Sequence, residues 1–367
     1  MLLHEGQKIR GTYEVERFLG EGAFAEVYRV KHRFLGRQAL KVFKLLGMTT
    51  SETVDVLSEA VILSQLGHPN IVRVFDANIT ETPKGPGGFF TMEYVAGGTL
   101  DQFWHSHGQK FVPIETSVEI IKQVCRGISV AHNEDPPLIH RDIKPQNILV
   151  GYDGSGLRVK VSDFGLAKRV NPLTLLATTR GTRSFKPPEA FSECGTDSPA
   201  ADVWAIGSVL YLLLTDRLPY SNINDSEIFD DGRFERELIP ASQYNIQVDI
   251  GLDQILNRAL ALESKNRYQS SVQMLVDIEK WKWNPQAPIK NKKLVSRTDD
   301  SKFALGPHSE IDFKAARKMS QDALKLSKHV ERLMDAADLM EQALNKAPQL
   351  RDEYEYQLRL WRRGVVM

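Results

Sequence analysis

The most informative stretch of the chain is His140-Arg141-Asp142-Ile143-Lys144-Pro145-Gln146-Asn147. It brings a carboxylate, a lysine and a carboxamide close together, and Asp163-Phe164-Gly165 adds a second carboxylate shortly afterwards. Hard oxygen ligands of this kind suit Mg²⁺. Taken alone, the first stretch would be an ordinary polar loop and the second an ordinary turn. Their meaning depends on the motifs that precede them in the chain.

A glycine-containing turn precedes these motifs at Gly20-Glu21-Gly22-Ala23-Phe24. Glycines let backbone amides approach phosphate oxygens closely. A dinucleotide-binding fold would require a helix directly after such glycines. The alternation over 26–30 predicts a strand instead, which argues against that fold; taken alone, the glycine hairpin would be an ordinary turn.

Lys41 and Glu59 are the next candidates. Lys41 lies in the apolar strand pattern Ala39–Val42, and Glu59 lies in a helix predicted over 51–66. An edge lysine and a solvated helix glutamate would each be unremarkable alone. The glycine turn, Lys41, Glu59 and the two acidic motifs follow one another along the chain. Because they occur together, Lys41 and Glu59 indicate a phosphate-binding lysine held by an acidic partner.

The secondary-structure pattern predicts an α+β protein with a small strand-rich part containing one helix, followed by a larger helical part. Period-two alternation and turn residues predict the strands, and apolar residues at helical spacing predict the helices. The predicted strands are 13–19, 26–30, 38–42, 71–78, 89–94, 147–150 and 159–162, with a turn at 84–88. The predicted helices of the larger part include 114–132 and a buried core helix around 204–214.

Composition is that of a globular protein that needs no disulfide framework. The chain has 367 residues, of which 42% are hydrophobic and 26% charged, and 47 basic residues balance 47 acidic ones. A nucleic-acid partner is not expected without a basic excess. Only Cys125 and Cys194 are present, and the first residues do not resemble a signal peptide. We therefore expect a cytoplasmic location and no membrane segment.

The C-terminal part predicts a linker and a helical extension. Prolines and lysines mark a linker over 284–310, and apolar residues from Met319 to Leu344 follow the spacing of a heptad seam. Pro348 ends that helix, and a second helix is predicted from Leu350 to about 363. The extension, 311–367, is compatible with a dimeric coiled coil, with a partner-binding surface, or with packing on a neighbour. It also weakly resembles a tetratricopeptide repeat.

Together, these motifs resemble those of the eukaryotic-type (Hanks-type) serine/threonine protein kinase superfamily, which includes bacterial members. The resemblance covers about residues 10–283, within a predicted domain 1–283. It implies a bilobal kinase fold, with an N-lobe over about 10–95 and a C-lobe over about 96–283. The stretch Phe90-Thr91-Met92-Glu93-Tyr94-Val95-Ala96-Gly97-Gly98 resembles the family's hinge.

The resemblance implies ATP and Mg²⁺ as substrate and cofactor, and it assigns roles by position. Asp142 would accept or orient the proton of the substrate hydroxyl, and Lys144 would stabilise the transferred phosphoryl group. Asn147 and Asp163 would hold the metal, and Lys41 would bind phosphates and pair with Glu59. The resemblance implies that Glu93 and Val95 offer backbone groups to adenine and that Leu19, Val27, Ala39 and Leu149 enclose it. The implied ATP-binding residues are Leu19, Gly20, Glu21, Gly22, Ala23, Phe24, Val27, Ala39, Lys41, Met92, Glu93, Val95 and Leu149.

Three further positions resemble structural residues of the serine/threonine class. Thr182 would contact the catalytic loop, Glu189 would pair with Arg267, and Asp202 would brace the backbone of the catalytic loop. Ala25 replaces the family's third glycine in the turn, and we expect that departure to have a modest effect.

Regulation by phosphorylation is a hypothesis that follows from Arg141 directly before Asp142. The segment between Asp163 and Glu189 offers three candidate phosphorylation sites, Thr174, Thr178 and Thr179. Phosphate adds negative charge that arginine can hold. These threonines could equally be ordinary loop residues.

Two alternatives accompany the expectation of an active kinase that phosphorylates protein serine and threonine hydroxyls. A pseudokinase scaffold would bind partners through the helical tail, but such proteins typically lose residues equivalent to Lys41, Asp142 or Asp163. A small-molecule kinase would lack the pattern of Thr182, Pro188 and Glu189.

Overall fold

A computed structural model gives the fold and divides the chain into two units. The small unit comprises Met1–Tyr94 and Ser162–Thr179, and the large unit comprises Val95–Val161 and Arg180–Met367. This confirms the predicted α+β class with a strand-rich part and a larger helical part. The residues that the structure describes are 1–22, 25–44, 57, 60–61, 63–83, 85–108, 111–154, 156–164, 183–191, 197–221, 231–282, 310–347 and 350–365.

The small unit is built on a six-stranded antiparallel sheet with the order β1-β2-β3-β4-β6-β5. Alternation along the strands puts one set of apolar side chains into a buried cluster that includes Val30, Leu40 and Phe89. The strands predicted over 13–19, 26–30 and 38–42 are confirmed. The strand bounds are Lys8–Ile9 (β1), Tyr13–Glu21 (β2), Ala25–His32 (β3), Gly36–Phe43 (β4), Val74–Thr82 (β5) and Gly85–Glu93 (β6).

The turn predicted at 84–88 is wrong. Gly85–Gly88 belongs to β6, where Gly85 pairs with Thr82 and Gly88 pairs with Ile79 of β5. Gly85 has a φ of +111°, a backbone conformation that other residues rarely adopt, so glycine suits the first position of this strand. Pairing with β5 therefore includes these glycines, whereas the sequence pattern suggested a loop.

The helix predicted over 51–66 is only partly described. Its described residues 57, 60, 61 and 63–65 are helical, Ala60 and Leu63 are buried, and Leu66 already lies beyond the helix. The rest of that stretch lies outside the described residues.

Helices form most of the large unit. The apolar spacing of 114–132 predicts a helix whose bounds coincide with those observed. The core helix predicted around 204–214 is longer than its apolar run, since it begins after the cap Ser198 and ends at Asp216. The helix bounds are Leu100–His105 (α1), Ile114–His132 (α2), Pro199–Thr215 (α3), Ile250–Ala259 (α4) and Ser271–Lys280 (α5).

A short hairpin follows the loop 140–147. A 3₁₀ turn at Pro145–Asn147 leads into β7 (Ile148–Asp153), which pairs with β8 (Gly156–Val161). The helix α2 packs against β8 as well as against α3 and α5. The loop 140–147 is therefore attached to a buried helical core at its downstream end.

The tail consists of three helices: α6 (Glu310–Leu326), α7 (Leu333–Lys346) and α8 (Arg351–Arg362). The expectation of one helix along the heptad seam is wrong, because residues 327–332 separate α6 from α7 and the two helices pack on each other. The seam residues meet across this hairpin, where Ala323, Leu333 and Met340 share one buried cluster. The predicted linker lies outside the described residues up to 309.

No described helix combines the length and the apolar character that a bilayer-spanning segment requires.

Candidate active site

Lys41 and Asp163 form an ion pair in the small unit. The Lys41 Nζ lies 2.7 Å from Asp163 Oδ1, and the Lys41 residue is 4% exposed. Asp163 has a φ of +64°, a left-handed conformation that aspartate tolerates better than most residues. The structure thus brings together two sequence-predicted residues that are far apart in the chain. The predicted Lys41–Glu59 pair stays a prediction, because Glu59 lies outside the described residues.

The glycine turn is held by a lysine that the sequence arguments missed. Lys44, just after β4, donates to the carbonyl of Gly22 at 2.7 Å and pairs with the carboxylate of Glu21. The turn itself closes through a hydrogen bond from the Gly22 N–H to the Ala25 carbonyl at 2.8 Å. Ala23 and Phe24 at the tip lie outside the described residues. Lys44 therefore puts a second ammonium beside the predicted phosphate-binding turn.

Strand pairing aligns the other predicted nucleotide residues of the small unit. Val27 pairs with Gly20 on one side and with Lys41 on the other. Ala39 pairs with Met92, which is buried at the end of β6, and Glu93 follows it. Leu19 lies where the register between β2 and β3 shifts. The sheet therefore holds the glycine turn, Lys41 and Met92 on adjacent strands.

The catalytic loop of the large unit gathers Asp142, Lys144 and Asn147. The Asn147 Nδ2 donates to Asp142 Oδ2 at 2.9 Å and to the Asp142 backbone oxygen at 2.8 Å. The Lys144 Nζ lies 2.8 Å from the same Asp142 Oδ2. Because Asn147 is 5% exposed and anchored by the 3₁₀ turn, one oxygen of Asp142 is oriented by two donors.

Asp202 braces the loop, as the sequence predicts. Its carboxylate accepts hydrogen bonds from the backbone N–H of His140 at 2.8 Å and of Arg141 at 2.9 Å. His132 Nε2 lies 2.9 Å from the same carboxylate. Burial alone would raise the pKa of Asp202, but the hydrogen bond and the charge interaction with His132 hold that pKa below its ordinary value.

Lys186 is a loop contact that the sequence arguments did not identify. Its Nζ donates to the carbonyl of Arg141, the residue directly before Asp142. Arg141 has a φ of +69°, an uncommon conformation for a non-glycine residue. Burial lowers the pKa of Lys186, while the negative charge of Asp142 opposes that shift. No sequence motif marks Lys186, so only the folded structure reveals its contact with Arg141.

Two buried arginines hold the segment that contains Lys186. Arg233, 2% exposed, donates to the carbonyls of Ser184 at 3.1 Å and Lys186 at 3.1 Å. The predicted pair of Glu189 and Arg267 is confirmed, with two parallel contacts of 2.6 and 2.7 Å. A bidentate pair of this kind fixes both groups in one plane.

The segment after the hinge is joined to β7. The Val150 N–H donates to the Gly98 carbonyl at 2.9 Å, and Thr99 forms a bridge with Leu149. Val95 and Leu149, both predicted adenine contacts, therefore belong to one connected piece of the large unit. Thr174, Thr178, Thr179 and Thr182 lie outside the described residues.

The side chains of this loop fit a hard cation. The Nδ2 of Asn147 donates to Asp142, and a carboxamide binds a metal ion through its oxygen. Asp163 contributes a carboxylate in the small unit. Oxygen donors of these two types are those that Mg²⁺ prefers, so the residues fit the implied metal.

Comparison with known proteins agrees with this geometry. The protein kinase domain profile matches residues 13–353. The chain is 34% identical over 272 residues to the serine/threonine-protein kinase PknB of Mycobacterium leprae, covering 72% of this chain and 42% of that protein. It is 33% identical over 308 residues to PknB of Mycolicibacterium smegmatis, covering 82% and 48% respectively.

A solved structure gives the same result. The crystal structure of the Mycobacterium tuberculosis PknI kinase domain aligns with a TM-score of 0.55 and 26% identity, over 76% of this chain and 98% of that one. The chain spans less than half of the length of the two PknB relatives. The tetratricopeptide resemblance of the tail is not confirmed. With the catalytic loop, the Lys41–Asp163 pair and the Glu189–Arg267 pair, these matches establish that the chain belongs to the protein kinase family.

Proposed function

We propose that the chain is an ATP-dependent serine/threonine protein kinase that transfers the γ-phosphoryl group of ATP to hydroxyls of protein substrates. The observation that carries the proposal is the orientation of Asp142 by Lys144 and Asn147 within hydrogen-bond distance. The serine/threonine kinases among its relatives support the same conclusion and do not support a pseudokinase scaffold.

Asp142 is the base of the proposed reaction. Its carboxylate orients the substrate hydroxyl and accepts the proton as the oxygen attacks the γ-phosphorus. The new O–P bond forms while the bond from the γ-phosphorus to the bridging oxygen breaks, and ADP leaves with that electron pair. A positioned general base contributes about 10²–10⁴-fold to the rate.

The lysines neutralise charge in this reaction. Lys144 lies beside Asp142 and therefore next to the attacking oxygen, where it stabilises negative charge on the transferred group. Lys41 binds the α- and β-phosphates, and Asp163 holds its ammonium in place. Asn147 and Asp163 are the residues that would hold Mg²⁺, which when bound neutralises phosphate charge.

The test compares Asp142→Asn with the parent chain. We expect radiolabel transfer from ATP to a generic basic protein to fall by about 10²–10⁴-fold. Because Asp142 acts on the hydroxyl, the dissociation constant for ATP should stay close to that of the parent. Asp322→Asn, a matched change at a partly exposed carboxylate of α6, should leave transfer unchanged. Equal labelling by Asp142→Asn and the parent would refute the proposal and favour a scaffold.

Activation by phosphorylation of Thr178 or Thr179 is a further part of the proposal. Arg141, the residue that would receive the phosphate, has its Nε 2.7 Å from Asp197 Oδ2. A phosphothreonine bound to Arg141 would therefore lie near the negative charge of Asp197. We expect the double variant Thr178→Ala/Thr179→Ala to be less active after incubation with ATP and Mg²⁺. Rates equal to those of the parent would contradict this hypothesis.

A further inference from the structure

The tail contacts a part of the kinase domain that the proposed reaction does not explain. Asn345, at the end of α7, donates its side-chain N–H to the carbonyl of Gly97. Gly97 follows Val95, the predicted adenine contact, by two residues. The tail thus supplies a hydrogen-bond partner to the backbone just after the hinge.

Glu341 makes a second contact from the same helix. Its Oε1 accepts a hydrogen bond from the backbone N–H of Tyr152 in β7 at 3.1 Å, and Arg362 of α8 pairs with its other oxygen. Glu341 is 2% exposed. One buried carboxylate therefore joins the tail's own interior to the strand that carries Leu149.

Arg351, at the start of α8, makes a third contact. It donates to the Tyr152 hydroxyl at 3.0 Å and to Ser106 Oγ at 3.4 Å. Its guanidinium also lies over the ring of Phe103, 4.6 Å from the centroid. The tail is therefore bound to β7 and to α1 through the same side chain.

The tail reaches this backbone directly. A Cβ on Gly97 would collide with the Val150 carbonyl and with the Glu341 carboxylate, and a Cβ on Gly151 would lie 2.9 Å from Val95 Cγ1. The Glu341 carboxylate would also lie 3.2 Å from a Cβ on Gly151, so this side chain of α7 packs against the backbone both after the hinge and in β7. The same segments are joined to each other by the Thr99–Leu149 bridge.

We infer that the tail is a positioning element for nucleotide binding, in which Asn345, Glu341 and Arg351 fix the segment after the hinge and β7 so that Val95 and Leu149 are held ready for adenine. The inference rests on the proposed function for the role of those two residues. It treats the tail as part of the kinase site and assigns no partner to it.

The experiment uses the full chain with the double variant Asn345→Asp/Arg351→Met. The first change keeps the size and removes the donor, and the second keeps the length and removes the charge. A hydrogen bond contributes about 1 kcal/mol, which corresponds to about fivefold in affinity. We expect the dissociation constant for MgADP, measured by calorimetry, and the KM for ATP each to rise by about 5- to 25-fold, the effect of one or both hydrogen bonds, with kcat within about twofold of the parent.

Three further measurements make the outcome decisive. Tyr356→Ala, at an exposed position of α8, should change neither constant. The single variant Asn345→Asp, at a half-buried site, gives a milder change if the double variant is unstable. An unchanged dissociation constant and KM, with only a lower Tm, would mean that the tail is a structural support and would overturn the inference. Because MgADP binding is measured without phosphoryl transfer, a parent chain that binds MgADP but labels no protein would refute the proposed function alone.

Discussion

Replacing Lys186 by methionine should separate activity from stability. The Lys186 ammonium donates to the carbonyl of Arg141, which precedes the proposed base Asp142 and has a left-handed backbone. Methionine has a similar length and tolerates burial, but it cannot donate a hydrogen bond. The substitution therefore removes the donor while keeping most of the packing.

We expect Lys186→Met to lower the catalytic rate without lowering the stability of the fold. A hydrogen bond from a charged group contributes about 1.5–3 kcal/mol. If that energy keeps Asp142 oriented in the transition state, its loss lowers kcat by about 10- to 100-fold. Burial lowers the pKa of Lys186, so the folded state disfavours the charged form that the unfolded chain carries. Removing the ammonium relieves this cost, and we expect Tm at pH 7 to be equal to or above that of the parent.

The pH dependence gives an independent check. Because the pKa of Lys186 is below its ordinary value in the folded protein, the unfolded state binds the proton more tightly, and this group makes stability rise as the pH increases toward the unfolded pKa. Lys186→Met should lack that rise. Steady-state kinetics on a basic protein and thermal melts at two pH values measure both effects, with the exposed Lys318→Met on α6 as the matched control. An unchanged kcat together with a lower Tm would refute the reasoning.

Three other substitutions should have measurable effects. Arg267→Met leaves the Glu189 carboxylate without its bidentate partner, and we expect a loss of about 3–5 kcal/mol in denaturant unfolding; an unchanged midpoint would contradict this. Leu358→Ala, at a fully buried position of the tail cluster, should cost about 2–5 kcal/mol, seen as a lower melting temperature. Burial raises the pKa of Glu341 to about 7 despite the opposing charge of Arg362, so the folded tail retains a proton that the unfolded chain loses above the ordinary pKa of 4.5. Stability should therefore fall as the pH rises from about 4.5 to about 7, by at most roughly 3 kcal/mol, and Glu341→Gln should flatten that profile; an identical profile would contradict the shift.

The charged groups that face Glu341 are consistent with that sign. Within the tail, Arg362 pairs with both Glu341 and Asp338, and Asp338 raises the pKa of Glu341 further. From β7, the backbone N–H of Tyr152 contacts Glu341. Burial raises the pKa of the Tyr152 phenol. One arginine thus serves two carboxylates.

The helix over 114–132 and the loop 140–147 illustrate what could be predicted. Apolar spacing along a single segment specifies a helix face, and the bounds of α2 coincide with the prediction. The residue types of the loop indicate the chemistry, and its internal contacts connect residues at most a few positions apart. Asp202 and the Glu189–Arg267 pair were also predicted, because the family resemblance supplied the long-range pairing that periodicity cannot.

Two predictions were wrong, the turn at 84–88 and the single helix along the heptad seam, because contacts with another segment decided both structures. The glycines at 85–88 suggested a turn, but pairing with β5 makes them part of β6. The heptad seam suggested one helix, but a continuous seam cannot bury its own face, and the break after Leu326 lets α6 and α7 cover each other.

Local order along the chain determined the strands, the helices and the identity of the reactive side chains, because periodicity and short motifs act over a few residues. The tertiary structure alone decided that Lys186 holds the Arg141 carbonyl, that Lys44 holds the Gly22 carbonyl, and that Asn345 holds the Gly97 carbonyl. Each of these acceptors is a backbone oxygen, which every residue carries. A contact to such a group leaves no mark in the amino-acid sequence, and only the folded chain brings donor and acceptor together.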